Sequence, residues 1–326
     1  MGMTRLLART ARLLVVAASF CASSASFAAW PDRPVTLLVP FSSGGTVDSV
    51  ARLVAVQLGQ QLNTKIIVEN IPGAGGTIAT ERVARSKPDG LTLLFTTPNH
   101  TINPAVLRNL PFDTEHDFAP VSMVAQIPEL LIANSKEPFN DFNGFVAYAK
   151  AHPGQLNYGS AGIGTLPHVT MELLLQKLGL HVVHIPYKGA APAMNDLLGG
   201  QVAMKMDTVV TSLPQIKAGR LRPLALAGEK RSAQLPDVPT LSELGVKGYD
   251  GMLWMAILAP RGTPPAVIDT INQAVVRSVH DPKLLQSFAV YGVEPVGGTP
   301  AALQSQISSE LKQWADVVKR AGITAN

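Results

Sequence analysis

Residues 35–58, VTLLVPFSSGGTVDSVARLVAVQL, constrain the fold more than any other stretch. Residues 35–39 are a run of β-formers long enough for a buried strand. Pro40 ends it, because proline has no N–H to give to a sheet ladder. Ser42-Ser43-Gly44-Gly45 then makes a loop of small residues. From Thr46 the apolar residues recur at helical spacing, with Val47, Val50, Leu53, Val54 and Leu58 on one face. Strand, glycine loop and helix start bring unpartnered N–H groups and the positive end of a helix dipole to one point. An anion fits there.

Residues 156–178, LNYGSAGIGTLPHVTMELLLQKL, repeat the pattern. A short strand leads through Ser160, Gly162, Gly164 and Thr165 into a helix with Pro167 in its first turn, where a missing N–H is harmless. Either copy alone is also the ordinary way for an α/β protein to join strand to helix. The repetition is what predicts two lobes facing one ligand.

Residues 1–28 read as a secretory signal. Arg5, Arg9 and Arg12 precede an apolar run at 13–20, too short to span a bilayer, and a small-residue stretch follows. Cleavage is expected after Ala28, with Ala25 the alternative; Cys21 follows bulky Phe20 and is a poor lipid-attachment site. Three of the 27 basic residues leave with this segment against none of the 23 acidic ones, so the mature chain is close to neutral. No nucleic-acid or membrane-surface partner is implied. The one cysteine leaves too, which removes disulfide, thiol and zinc-thiolate chemistry and suits a bacterial periplasm. With 46% hydrophobic and 15% charged residues, the remainder is globular.

Along the chain, residues 65–69 (KIIVE) predict a strand, then NIPGAGGT at 70–77 leads into a helix to 84. This glycine loop is not a phosphate loop: Thr77-Ile78 follows Gly76 where Lys-Ser/Thr is needed, and the dinucleotide spacing also fails. Residues 91–95 form a third strand, ending in a loop at 96–100. The alternation predicts a parallel sheet, with the loops after Val39, Glu69 and Phe95 on one ligand-binding rim. Apolar runs at 121–126 and 130–133 flank Pro128 and read as a strand crossing into the second lobe. There a helix near 145–150, strands at 181–186, 202–206 and 221–227, a helix at 193–198 and a stiff loop at 235–240 are expected. A strand at 252–259 returns to the first lobe, and helices begin at Pro264/Pro265 and Pro300. The expected division is a signal at 1–28, lobe 1 at 29–127 plus 253–326, and lobe 2 at 128–252.

PFSSGGTVD at 40–48 with Ala51-Arg52, ENIPGAGG at 69–76 and KPDG at 87–90 resemble the Bug family, the substrate-binding proteins of tripartite tricarboxylate transporters. So do SAGIGT at 160–165 with His168, PYKG at 186–189, DLLGG at 196–200 and LPDVPT at 235–240. The resemblance runs in order through the mature chain. It implies an α/β two-lobe periplasmic binding protein, each lobe a mainly parallel sheet flanked by helices. Its expected role is to capture a small organic acid and deliver it to a membrane permease, with no cofactor or metal and as a monomer. It places one ligand carboxylate among Phe41, Ser42, Ser43, Gly44, Gly45, Asp48, Gly75 and Thr97, and the other end among Ser160, Gly162, Gly164, Thr165, His168 and Asp207. Two departures stand out: Ala203 where the family often has an acid after GG-x-V, and a loose match at 96–100.

Neither main glycine loop contains Lys or Arg, so an anion would be held by backbone N–H groups, hydroxyls and helix dipoles. Asp48 and Arg52 are spaced i, i+4 and can equally form a surface pair. His168 stands in the first turn of a helix, where it can cap or pack as readily as touch ligand. His181 and His184 fall on opposite faces of a strand, which argues against a metal pair. Asp207 at a strand end suits a bound water or a ligand donor, and Lys188 is the one cation expected near the rim. Trp254 and Met255 read as core or hinge. Two alternatives are a receptor feeding a two-component system, and a secreted hydrolase using Ser43 or Ser160, which no G-x-S-x-G elbow supports.

Overall fold

The computed structural model describes residues 30–249, 251–290 and 292–324; the expected signal, its cleavage site and Cys21 lie outside the described residues. In chain order the elements are β1 (Val35–Val39), α1 (Thr46–Leu62), β2 (Ile66–Asn70), α2 (Thr77–Ala84), β3 (Thr92–Thr96), α3 (Asn99–Val106) and β4 (Phe118–Asn134). There follow α4 (Phe142–Ala151), β5 (Asn157–Ser160), α5 (Leu166–Leu178), β6 (Val183–Pro186), α6 (Ala190–Gly199), β7 (Met204–Thr208) and α7 (Val209–Lys217). The chain closes with β8 (Leu221–Leu226), β9 (Met252–Pro260), α8 (Pro265–Val279), α9 (Pro282–Val290), β10 (Glu294–Pro295) and α10 (Pro300–Ala321).

The architecture is two-lobed α/β. β1 pairs in parallel with β2 and β3, placing Leu37 beside Val68 and Leu93. β5 pairs in parallel with β6 and β7. Between these trios run β4 and β9, antiparallel to their neighbours, in the order β2-β1-β3-β9-β4-β7-β5-β6. The 17-residue β4 joins both sheets: its first part pairs with β9 and its second with β7 and β8. The two apolar runs around Pro128 are therefore one strand. Its ladder shifts register between Pro120 and Ser122, where proline cannot donate, and again between Met123 and Ala125.

Each lobe has its own apolar core. Leu38, Leu94, Trp254, Ala256 and Leu258 pack in the first, and Leu131, Phe145, Tyr158, Met171 and Met206 in the second. A third cluster joins Ile102 and Val106 of α3 to Leu166, Val169 and Leu173 of α5 and Trp314 and Val318 of α10. A fully buried Leu, Ile, Val, Phe or Met side chain of these cores contributes about 1.5–3 kcal/mol.

Five elements depart from expectation. Residues 96–100 are not simply a loop, because α3 starts at Asn99 despite Pro104 inside it. Helices α7 and α9 also form where only connecting chain was expected. β6 and β7 start two residues later than their apolar runs, at Val183 and Met204.

Candidate ligand site

The loop after β1 is shaped by Asp48. Gly44, at φ +85°, donates its N–H to Asp48 Oδ2 at 2.8 Å. Arg52 reaches both carboxylate oxygens, and Asn70 Nδ2 donates to Asp48 Oδ1 at 2.9 Å and to the Phe41 carbonyl at 3.0 Å. Burial of Asp48 opposes its ionisation. The bonds from Arg52, the Gly44 N–H and Asn70 outweigh that and hold the carboxyl below its ordinary range. Asp48 and Arg52 thus form more than a surface pair: they fix the backbone from Phe41 to Gly44. Ser42, Ser43, Gly44 and Gly45 stay exposed, and the two hydroxyls make no hydrogen bond among the described residues. Gly45 caps α1 without a side chain, so the helix presents bare N–H groups.

The loops after β2 and β3 pack against this one. A Cβ on Gly76 would stand 3.0 Å from Pro40 Cβ, and Asn103 Nδ2 donates to the Gly75 carbonyl at 3.0 Å. Thr97 is buried, and its hydroxyl has no hydrogen-bond partner among the described residues. Three strand ends therefore meet at one rim.

In the second glycine loop the side chains turn inward. Ser160 is fully buried; its Oγ exchanges bonds with the N–H and carbonyl of Gly162, both at 3.1 Å, and lies 2.6 Å from His184 Nε2. Thr165 Oγ1 donates to the Gly162 carbonyl at 2.7 Å. His168 Nδ1 accepts the Gly164 N–H at 3.0 Å. What remains for a guest is backbone: the N–H groups of Ala161, Ile163 and Leu166 carry no hydrogen bond among the described residues. Ser160 and His184 are within the distance a nucleophile and its base would need. The same hydroxyl is fully buried and shared with the Gly162 backbone.

Asp207 is not a bare charge. Its Oδ1 accepts from the Thr208 N–H at 2.8 Å and Thr211 Oγ1 at 2.9 Å, while Oδ2 faces Lys205 Nζ at 3.2 Å. Lys205 is fully buried and also donates to the Met206 carbonyl at 3.1 Å. The sequence reading missed this second cation; the alternation in MKMDT, which puts Lys205 and Asp207 on one strand face, was the available signal. Nearby Glu129 is pushed up to about 8 by burial, against the Thr170 hydroxyl at 2.5 Å and the Lys205 charge. Lys188 is exposed.

Helix α3 touches both halves of the site. Asn103 and Val106, three residues apart on one face, meet Gly75 of one loop and Gly164 of the other. Glu310 of α10 anchors the helix, accepting from Thr101 Oγ1 at 2.7 Å and from Trp254 Nε1 of β9 at 2.7 Å. Among the described residues no group of three His, Cys, Asp or Glu could hold a metal ion, and no helix is long and apolar enough to cross a membrane.

The chain is similar to known proteins over most of its length. Residues 50–323 match the family described as tripartite tricarboxylate transporter family receptor. Protein BugT of Bordetella pertussis is 35% identical over 324 residues, covering 99% of each chain. An R. palustris protein solved with adipate is 36% identical, with a TM-score of 0.81, over 91% of this chain and 100% of that one. The malate-bound MatC protein of Rhodopseudomonas palustris is 33% identical, with a TM-score of 0.77, over 89% of this chain and 100% of that one.

Proposed function

The chain belongs to the Bug family of tripartite tricarboxylate transporter receptors, which are periplasmic solute-binding proteins, and on that premise we propose that it captures a small carboxylate between its two lobes and hands it to a membrane permease. The lobes of this reading are 29–127 with 253–326, and 128–252, hinged where β4 and β9 cross. Adipate and malate in two relatives support an aliphatic di- or tricarboxylate. Export by a signal at 1–28, the absence of catalysis and a monomeric state belong to the same reading.

The observation that carries it is the pair of uncharged glycine loops flanking α3. The first would offer Ser42, Ser43 and the N–H groups opening α1; Thr97 beside it adds a hydroxyl. The second would offer the N–H groups of Ala161, Ile163 and Leu166. Ser160, Thr165, His168 and Asp48 would act on the ligand indirectly, by holding those loops. Asp207, compensated by Lys205, would not repel an anion and suits a ligand hydroxyl or a bound water.

Hydrogen bonds to a charged group are worth about 1.5–3 kcal/mol each, and a helix start adds about 0.3–2. Four contacts reach the ~8–12 kcal/mol of micromolar to nanomolar binding once the closure cost is met. A cradle without cations also favours release. Thermal-shift screening of malate, adipate, citrate, aspartate and benzoate against the mature protein tests the reading. A ligand at 100 times its Kd adds roughly 2.7 kcal/mol of stability; no stabilisation by any carboxylate would overturn it.

A further inference from the structure

If the loop at 160–165 receives a ligand carboxylate, its affinity depends on how firmly its backbone N–H groups are aimed, and two histidines hold its two ends. His184 Nε2 lies 2.6 Å from Ser160 Oγ, where the loop begins. His168 Nδ1 accepts the N–H of Gly164, where the loop runs into α5. The two imidazoles stack with centroids 3.8 Å apart and planes within 13°. Tyr158 lies against His184, centroids 4.8 Å apart at 25°, and its hydroxyl donates to Glu172 Oε1 at 2.6 Å. β5, β6 and α5 are thereby tied together beneath one loop.

We propose that His184 is a positioning residue for ligand capture: through Ser160 and the stacked His168 it fixes the spacing of the Ala161, Ile163 and Leu166 N–H groups. This rests on the carboxylate-capture reading of the same loop. His184 itself touches no ligand. Its Ser160 bond closes the Ser160–Gly162 turn from below, and its ring is the surface on which His168 keeps its Nδ1 aimed at Gly164.

The clamp works only with neutral histidines, since a protonated His168 has no lone pair at Nδ1 to accept the Gly164 N–H. Burial, and then the neighbouring His184, lower His168 to about 3, and burial lowers His184 to about 4. The groups around the stack are Ser160 and Tyr158 of β5 and Glu172 of α5; burial raises the Glu172 carboxyl while Tyr158 and His181 lower it. No partner here favours a charged imidazole strongly enough to offset its desolvation.

The experiment compares His184→Phe, which keeps the stack and loses the Ser160 bond, with His184→Gln, which keeps a donor to Ser160, and with Ser160→Ala. Two readings are taken at pH 7.5: hydrogen–deuterium exchange of residues 160–166, and calorimetric titration with whichever of malate, adipate or citrate stabilises the wild type. His184→Phe and Ser160→Ala are expected to speed exchange of the Gly162 amide, which bonds Ser160 Oγ, and weaken binding by about tenfold or more through lost preorganisation. His184→Gln is expected to recover most of both. Wild-type exchange and affinity in His184→Phe would overturn the proposal, as would equal losses in His184→Phe and His184→Gln. If His184→Phe does not fold, Ser160→Ala decides it by the same criteria. A wild type that binds none of the three acids sinks the capture reading, while the exchange comparison still decides the clamp.

Discussion

Gly164 lies directly against Val106: a β-carbon built on the glycine would come within 2.6 Å of Val106 Cγ1, while its φ of +72° already favours glycine. The contact seats the second glycine loop on α3, the helix that follows the loop at Thr97. Gly164→Ala combines the cost of a left-handed β-carbon, about 1–2 kcal/mol, with overpacking of about 1–3 kcal/mol. Urea unfolding should show a loss of that order, with weaker carboxylate binding. Val106→Ala in the same chain should restore the overpacking part and leave the backbone part.

The serines divide by what surrounds them. Ser42→Ala and Ser43→Ala should leave the unliganded protein's stability within about 0.5 kcal/mol of wild type, because both side chains are exposed. Each should weaken carboxylate binding, by calorimetry, as far as its hydroxyl touches the ligand. Ser160→Ala should do the reverse first: it strands the Gly162 N–H and removes the His184 contact, at about 1–3 kcal/mol of stability.

Asp48→Ala removes the acceptor of Gly44, Arg52 and Asn70 together. These donors are exposed or half-buried and can turn to water, so each lost bond costs about 0.5–1.5 kcal/mol. The variant is expected to lose carboxylate affinity without touching ligand, and Asp48→Asn to fall between it and the wild type. Melting curves and titrations on both variants check this.

The pH profile should have two limbs of opposite sign. His168 and His184 titrate at about 3 and 4 when folded but near 6.5 when unfolded, so the unfolded chain binds more protons in acid. Stability therefore falls as pH drops below about 6.5 and keeps falling towards their folded values. Glu129 behaves oppositely. Raised to about 8 from 4.5, it binds a proton more tightly when folded, and its contribution, full below 4.5, is lost as pH rises through 8. Denaturation measured from pH 4.5 to 9 should show Glu129→Gln flattening the alkaline limb and leaving the acid limb in place.

Lys205 and Asp207 should stand or fall as a pair. Lys205→Met leaves Asp207 buried beside Glu129 without its cation, and breaking such a pair costs about 3–5 kcal/mol. The double variant Lys205→Met with Asp207→Asn should regain much of that in a double-mutant cycle.

What the sequence revealed and what it hid follow from locality. β1 and α1 were legible because proline and glycine punctuate two different periodicities within 24 residues. β4 was legible because apolar residues continue on both sides of Pro128. α3 was hidden by its eight-residue length and internal Pro104, although Asn103 and Val106 give it its place between the loops. The direction of a hydroxyl was equally unreadable: Ser160 and Thr165 have the chemistry of anion donors, yet their bonds run back into their own loop. His184 meets Ser160 across 24 residues of sequence and a strand pairing, which no spacing encodes.

The most direct test is a crystal structure with the acid that thermal-shift screening selects. The account predicts carboxylate oxygens about 2.7–3.2 Å from N–H groups of both loops, at 42–46 and at 161–166. An acid held by one lobe alone, or gripped by Lys188 or an arginine in place of those N–H groups, would contradict it.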